Sequence, residues 1–310
     1  MTLQQLQALA LVVDQGGIRA AARAMHLSPA AVTKAMRTLE DEAGVPLLLR
    51  GSRGVALTPA GERLLARARV VTRQVALARD DLQQAAGADA GSVRLGITPF
   101  ATLTALGEAF AWFRQRYRQV EVHTIEGLMA RVLPRLRDGT LDLAVVAPDV
   151  GELRDGEFHC QPIRRASQHV VLREGHPLLA LPATERTAER LVEQEWVLTA
   201  AVRHEDPPRL AAMFAAAGVA PPRRVLVCET LAAMTLLRHS DALSIFPAPL
   251  LGHPETRGIV ALPASPLHPG DIELTLLTRP DVPLTPAAAY FAHCLAEVAG
   301  RGDGQVRPAG

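Results

Sequence analysis

The strongest constraint on the fold is the pair Ser28-Pro29. Serine is a strong helix N-cap, and proline fits the first helical position, where its missing N–H costs nothing. A helix therefore starts at Pro29 and runs to about Glu42. Just before it, Ile18 to Met25 is a short alanine-rich helix, separated by the turn His26-Leu27-Ser28. The small side chains of Ala20, Ala21, Ala22 and Ala24 permit close helix–helix approach. An earlier helix starts with a T-x-x-Q capping box, Thr2 with Gln5. It carries Leu3, Leu6, Ala10 and Val13 at helical spacing and ends at Gly16-Gly17.

On the third helix Val32, Met36 and Leu39 form an inner stripe, and Ala30, Thr33, Lys34, Arg37 and Thr38 fall outside. That outer face suits a major groove. It offers a small apolar group for a thymine methyl, a hydroxyl, and two long cations for guanine edges or phosphates. A solvated helix face has the same chemistry; the short helix and tight turn before it favour a helix-turn-helix. Next, two short apolar runs, Leu47-Leu48-Leu49 and Val55-Ala56-Leu57, flank a Gly-Ser-Arg-Gly turn and read as a hairpin. Arg50 and Arg53 at its tip are placed to touch phosphate or the minor groove, as a wing does.

The run AAARAMHLSPAAVTKAMRTLEDEAGVPLLLRGSRGVALTPAGERLL resembles the DNA-binding domain of LysR-type transcriptional regulators, almost continuously over residues 2–65. The matching parts are the AA-x-x-x-HLS turn, the recognition-helix exit TLEDEAGVPL, the wing RGSRGVALT and the P-A-G start of the next helix. The resemblance implies DNA contacts from Arg19, Ser28, Pro29, Ala30, Thr33, Lys34 and Arg37, with Arg50 and Arg53 in the wing. Two departures stand out. Pro29-Ala30 replaces the family's usual Gln-Pro, whose glutamine often helps read DNA, so the family's base preference does not carry over, and Gly17 replaces a serine cap.

Thr58 caps a long helix that begins at Pro59. Leu64, Leu65, Ala68, Val71, Val75, Ala78 and Leu82 give it a sustained apolar stripe to about Ala86, while Arg and Gln fill the other faces. Such a helix spans about 40 Å. A second copy would bury the stripe in a coiled-coil-like pair; packing on its own domain is the alternative. The resemblance implies a homodimer through residues 59–86 and a homotetramer. Residues 87–91, GADAG, read as a hinge.

From residue 92 onward the pattern alternates strand and helix. Ser92–Thr98 is a buried strand, Thr102–Tyr117 a helix with Leu103, Leu106, Phe110 and Phe113 inward. Val120–Glu126 is a strand, Met129–Asp138 a helix and Leu141–Val146 a strand. This βαβαβ order implies a mainly parallel sheet with right-handed crossovers. Later strands are expected at Val170–Arg173, Trp196–Ala200, Arg223–Cys228, Ala242–Phe246, Gly258–Leu262 and Ile272–Arg279. Helices are expected at Pro208–Ala217, Leu231–His239 and Pro286–Ala299, with a mobile tail over 301–310. The motifs VRLGIT, VEVHTIEG, LRDGTLDLAVVAP and SDALSIFP resemble the LysR effector domain. By that resemblance lobe one covers 92–161 and 266–299, and lobe two 162–265. The fold class is thus an N-terminal all-α winged helix-turn-helix (residues 1–58), a long linker helix with its hinge (59–90), and a C-terminal α/β two-lobed, periplasmic-binding-protein-like effector domain (91–300).

Such a fold places ligand at the carboxyl ends of the strands. The first end is Thr98-Pro99-Phe100-Ala101-Thr102, a helix N-terminus that favours a carboxylate or sulfonate. The second is Gly127-Leu128, where many relatives have a small polar residue after the glycine. Across the cleft lie Thr199-Ala200 and Phe246. Phe100, Leu128 and Phe246 suit an aromatic or otherwise apolar acid; capping and core packing account equally for each residue.

Net charge is +1 over 310 residues, but residues 1–90 carry +3 and the rest −2. The excess sits where DNA would be. Lys34 is the one lysine against 32 arginines, so single arginines carry little information. Cys160, Cys228 and Cys294 are isolated, and the ten histidines lack metal-ligand spacing, so neither a disulfide framework, a metal nor a cofactor is expected. No run reaches the length of a membrane span, and MTLQQLQALA lacks the form of a signal peptide, so the expected compartment is the cytoplasm, without membrane contact. An enzyme would need a nucleophile elbow or a phosphate-binding glycine loop, and none is legible. A transport binding protein would need export and no DNA-binding head. A regulator with a closed pocket stays open. The expected partners are palindromic double-stranded DNA, a small-molecule effector and, by resemblance, RNA polymerase.

Overall fold

The computed structural model describes residues 1–51, 54–148, 152–199 and 208–301. The head begins with α1 (Leu3–Asp14), α2 (Ile18–Ala24) and α3 (Pro29–Ala43). Thr2 closes its capping box: its N–H donates to Gln5 Oε1 at 2.6 Å, and Gln5 N–H donates back to Thr2 Oγ1 at 3.3 Å. The exit from α2 turns on His26, which adopts φ 54°. That left-handed conformation lets Leu27 N–H reach Ala22 O at 2.9 Å, the bond that closes a helix end. Leu9, Val12, Ala21, Val32, Met36 and Leu39 form the buried centre of the head.

A two-stranded antiparallel hairpin follows, β1 (Leu48–Gly51) and β2 (Gly54–Leu57), and then α4 (Pro59–Ala85). Thr58 ties the two together. Its hydroxyl donates to Pro46 O at 2.8 Å and accepts from Gly61 N–H at 3.0 Å. Gly61 is required by close approach: a Cβ there would lie 2.1 Å from Leu47 O. Because that neighbour is backbone, Gly61→Ala is expected to destabilise the head by about 3 kcal/mol, the upper range for overpacking. Differential scanning calorimetry of the variant checks this; an unchanged transition would contradict it.

Past α4 come β3 (Ser92–Ile97) and one continuous helical stretch made of α5 (Pro99–Ala101), a π-helical turn (Thr102–Leu106) and α6 (Gly107–Arg116). The π turn explains one correction. Phe110, expected inward, is 37% exposed, while Ala101, Ala105, Ala109 and Phe113 are buried. The wide turn holds extra residues per revolution and rotates the downstream stripe.

Then follow β4 (Glu121–Glu126), α7 (Met129–Arg137), β5 (Leu143–Val146) and β6 (His159–Arg173). β4, β3 and β5 pair in parallel, in that spatial order. β6 is far longer than the expected Val170–Arg173. Its first half looks loop-like because Pro162 lacks a donor, and the pairing shifts register at that point. The remaining elements are α8 (Pro177–Ala180), α9 (Ala188–Val192), β7 (Trp196–Leu198), α10 (Pro208–Ala216), β8 (Val225–Val227), α11 (Thr230–His239), β9 (Ser244–Pro247), β10 (Ile259–Ala261), β11 (Asp271–Thr278) and α12 (Pro286–Gly300).

The expectation of a mainly parallel sheet holds for β4-β3-β5 and for β7–β8. β11 and β6 return antiparallel, so the large sheet is mixed. Up to Ser167, β6 pairs with β11; beyond it, β6 pairs with β9 and β10. One strand thus joins two halves, each with its own helices. The expected tail beyond residue 301 lies outside the described residues.

Candidate DNA-binding head and effector cleft

Ser28 caps α3, its Oγ accepting from Ala31 N–H at 3.1 Å. The cap sets the direction in which α3 leaves the turn. Its inner stripe, Val32, Met36 and Leu39, is at most 1% exposed. Opposite it, Pro29, Ala30, Lys34 and Arg37 are exposed, and Arg19 flanks them from α2. Among the described residues, no hydrogen bond or ion pair engages Lys34, Arg37 or Arg19. Thr33 is half-buried, and its hydroxyl donates to Pro29 O at 2.8 Å. Its donor is therefore spent within the helix, leaving a methyl group and lone pairs.

Glu40 fixes the hairpin to this helix. Its Oε1 accepts from Leu47 N–H at 2.8 Å and from Leu48 N–H at 3.0 Å. Both arginines of the hairpin tip escape description: the side chain of Arg50 and the whole of Arg53 lie outside the described residues.

In the C-terminal part, Thr98 ends β3. Its N–H donates to Val145 O at 2.9 Å, yet its hydroxyl, on a residue 3% exposed, has no hydrogen-bond partner. Thr102 N–H donates to Thr98 O at 2.9 Å. Gly127 N–H donates to Ile97 O at 3.0 Å, which brings the ends of β3 and β4 together, and a Cβ on Gly127 would lie 2.7 Å from Arg131 Cδ. Leu128 is half-buried at the N-cap of α7. Phe100 and Ala101 from one half and Phe246 from the other join the same buried cluster, with Val197 and Met234. Thr199 is half-buried after β7, and Ala200 lies outside the described residues. Burial pushes the Cys228 thiol up, together with the nearby Glu229 charge, and burial does the same to Cys160 at the start of β6.

Reading the sequence alone misses a further group. On α4, Arg73, Leu77, Asp80 and Gln84 recur at helical spacing and face the first half of the effector domain; Arg73, Leu77 and Gln84 are buried there and Asp80 half-buried. The spacing was visible, but polar residues read as a wet face. Exposed apolar positions line a different side of α4, with Val71 44% and Leu82 72% exposed.

Residues 3–62 match the bacterial regulatory helix-turn-helix protein family of lysR type, and residues 86–300 match the LysR substrate binding domain. The chain belongs to the LysR family of transcriptional regulators. It is 30% identical over 304 residues to the HTH-type transcriptional regulator GalR of Pseudomonas putida, covering 95% of this chain and 73% of that one. It is also 30% identical to the HTH-type transcriptional regulator PcaQ of Agrobacterium fabrum, covering 91% of each. In fold it is similar to full-length CbnR complexed with its target DNA, with a TM-score of 0.67 and 19% identity over 96% of this chain and 100% of that one. The protein is therefore a regulator with a DNA-binding head and an effector-binding domain. No helix among the described residues is long and apolar enough to cross a membrane.

Proposed function

We propose that this regulator acts in the cytoplasm and binds a pseudo-palindromic operator as a homodimer through α4, paired further into a homotetramer. A small organic acid with an apolar or aromatic body controls it from the cleft, and the regulator acts on RNA polymerase at the promoter.

The observation that carries the effector reading is the buried hydroxyl of Thr98. It is a donor without a partner, set beside an apolar cluster that includes Phe100 and Phe246. Buried hydroxyls without partners are costly, and a carboxylate would satisfy this one. Aromatic carboxylic acids are expected to raise the melting temperature. At a hundredfold excess over Kd the gain is about 2.7 kcal/mol, and Thr98→Val should remove most of it. A second reading, a cleft filled by its own Phe100 and Phe246, is favoured by their burial at 6% and 5%. Absence of any shift across a panel of organic acids would support that reading and contradict the first.

Dimerisation is supported by an apolar stripe on α4, where Val71, Ala78 and Leu82 are exposed and Leu64 and Val75 half-buried, while Ala68 in the same stripe is buried within the chain. Leu64, Ala68, Val71, Val75, Ala78 and Leu82 alternate spacings of four and three. In an antiparallel pair centred near Arg73, Leu64 meets Leu82 of a second copy and Val71 meets Val75. Arg67 then lies near Asp81 of that copy, opposite in charge. Two free sheet edges support a second contact. β4 ends the large sheet and β8 the small one, and exposed apolar side chains occur on the helices next to them in sequence, Phe110 on α6 and Leu231 and Leu236 on α11.

On DNA, Pro29, Ala30 and the Thr33 methyl favour thymine, whose methyl is the apolar group of the major groove. Replacing a contacted thymine with deoxyuridine removes only that methyl. Binding should weaken about fourfold at that position, and equal affinity at every position would count against this reading.

A further inference from the structure

The second face of α4 is polar and bonded. Arg73, Leu77, Asp80 and Gln84 fall at i, i+4, i+7 and i+11, one stripe of a helix. Arg73 Nη2 meets Asp142 Oδ2 at 2.6 Å, and the two side chains are 4% and 2% exposed. The same carboxylate oxygen accepts from Arg94 N–H at 2.8 Å, and Arg73 Nη1 donates to Ser92 Oγ at 2.9 Å. Two turns on from Arg73, Asp80 Oδ2 accepts from Ser92 N–H at 3.1 Å. Gln84 closes the stripe, donating to Ala90 O at 2.8 Å and accepting from Ala287 N–H, in the first turn of α12, at 2.9 Å.

The connection between α4 and β3 is thus tied on both sides, and the segment that reads as a hinge is a pinned turn. Gly91 sits at φ +105°, and a Cβ there would lie 2.8 Å from Asp80 Cγ and from Gln84 Nε2. Asp89 Oδ2 also accepts from Arg118 N–H at 2.9 Å and Gln119 N–H at 3.1 Å. The bonds of Arg73 and Asp80 reach the N-terminal ends of β3 and β5, while Gln84 reaches α12 and Asp89 reaches the segment just before β4. The cleft lies at the opposite ends of the same strands.

A buried ion pair is a weak source of net stability, because desolvation offsets the attraction. What it supplies is register. A purely apolar stripe tolerates sliding, whereas Arg73 meets Asp142 at one position only. We infer that Arg73 and Asp142 are positioning residues for DNA binding. They hold head, α4 and the first half of the effector domain as one body, so that the spacing of two heads is set through α4. Filling the cleft then acts by moving the second half, which carries β8 and α11. This inference rests on the assembly proposed above.

The test uses the full chain and duplexes that the wild type recovers from a random-sequence pool. Asp142→Asn, Arg73→Gln and the pair Arg73→Leu with Asp142→Leu are each compared with the wild type. Binding to a single half-site should stay within about twofold, while the advantage of two half-sites falls about tenfold or more. Inserting one base pair between the half-sites should cost the variants less than the wild type. The leucine pair fills the site with apolar volume, which separates lost register from lost folding. If that variant folds and keeps the full advantage and spacing preference, the inference is overturned. A wild-type chain with no two-site advantage at all sinks the assembly and the inference together. A disulfide between Asp80→Cys and Ser92→Cys, with Cys160 and Cys228 replaced by serine, should leave two-site binding intact. Loss of binding on oxidation, restored by reduction, would mean that α4 has to leave its seat, and would refute the single body.

Discussion

Replacing Lys34 and Arg37 together with alanine is expected to cost about 100-fold in affinity for operator DNA. Both ammonium and guanidinium groups stand exposed on the face of α3 opposite Val32, Met36 and Leu39. A phosphate contact or a base contact from each is worth roughly 1–3 kcal/mol, and each 1.4 kcal/mol is tenfold. If both cations touch phosphate, the dependence of log K on log salt should flatten by about two. If one reads a guanine, discrimination at that base pair should relax instead. Neither side chain supports the fold, so the melting temperature should hold. Fluorescence anisotropy over a salt series, beside calorimetry, reads both quantities. Retained affinity would remove α3 from the interface.

The second large effect is expected from Val71→Asp with Leu82→Asp. These side chains are 44% and 72% exposed in the single chain, so two carboxylates there leave the fold intact. In a pair of α4 helices they would bury unpaired charge, which costs several kcal/mol per ion. Sedimentation should show a smaller assembly than the wild type, one held by the second contact alone. DNA affinity should also drop about 10²–10⁴-fold, because the second head no longer binds at the high effective concentration set by the first. An assembly of unchanged size would mean that α4 pairs by another face.

The head was legible because local chemistry decides it. Ser28 and Thr58 fix helix starts by accepting from the N–H three positions on, Pro29 sits at the first helical position, and each appears where the sequence places it. The stripe of α3 follows from period alone. The DNA-facing candidates are exposed as a groove-reading surface requires, apart from half-buried Thr33 and the wing arginines outside the described residues. The effector domain was less legible wherever a distant partner decides. Nothing local distinguishes the first half of β6, with Pro162, Arg164 and Arg165, from a loop; its partner β11 lies about a hundred residues on. Phe110 turned outward through a π turn that no period predicts. The polar stripe of α4 was invisible for the same reason: Arg73 is buried only because Asp142, 69 residues later, meets it.

Those two kinds of residue also divide the labour of the molecule. The local signals build the part that meets DNA, and the long-range ones decide how that part is held. Arg94 shows the cost of crowding cations at this seat: burial, then the nearby Arg73 charge, pull its guanidinium below the ordinary value, and Asp142 pulls it back. Removing Asp142 therefore strands two cations rather than one. For that reason Asp142→Asn alone is a harsher change than the leucine pair.

The most direct measurement is hydroxyl-radical footprinting of the full chain on a duplex selected from a random pool. Two protected patches, related by an approximate dyad and about one helical turn apart (~34 Å) or a multiple of it, are predicted, both lost with Lys34→Ala and Arg37→Ala. Footprints that survive those substitutions, or a pool from which no duplex is enriched, would contradict a paired head that reads the major groove through α3.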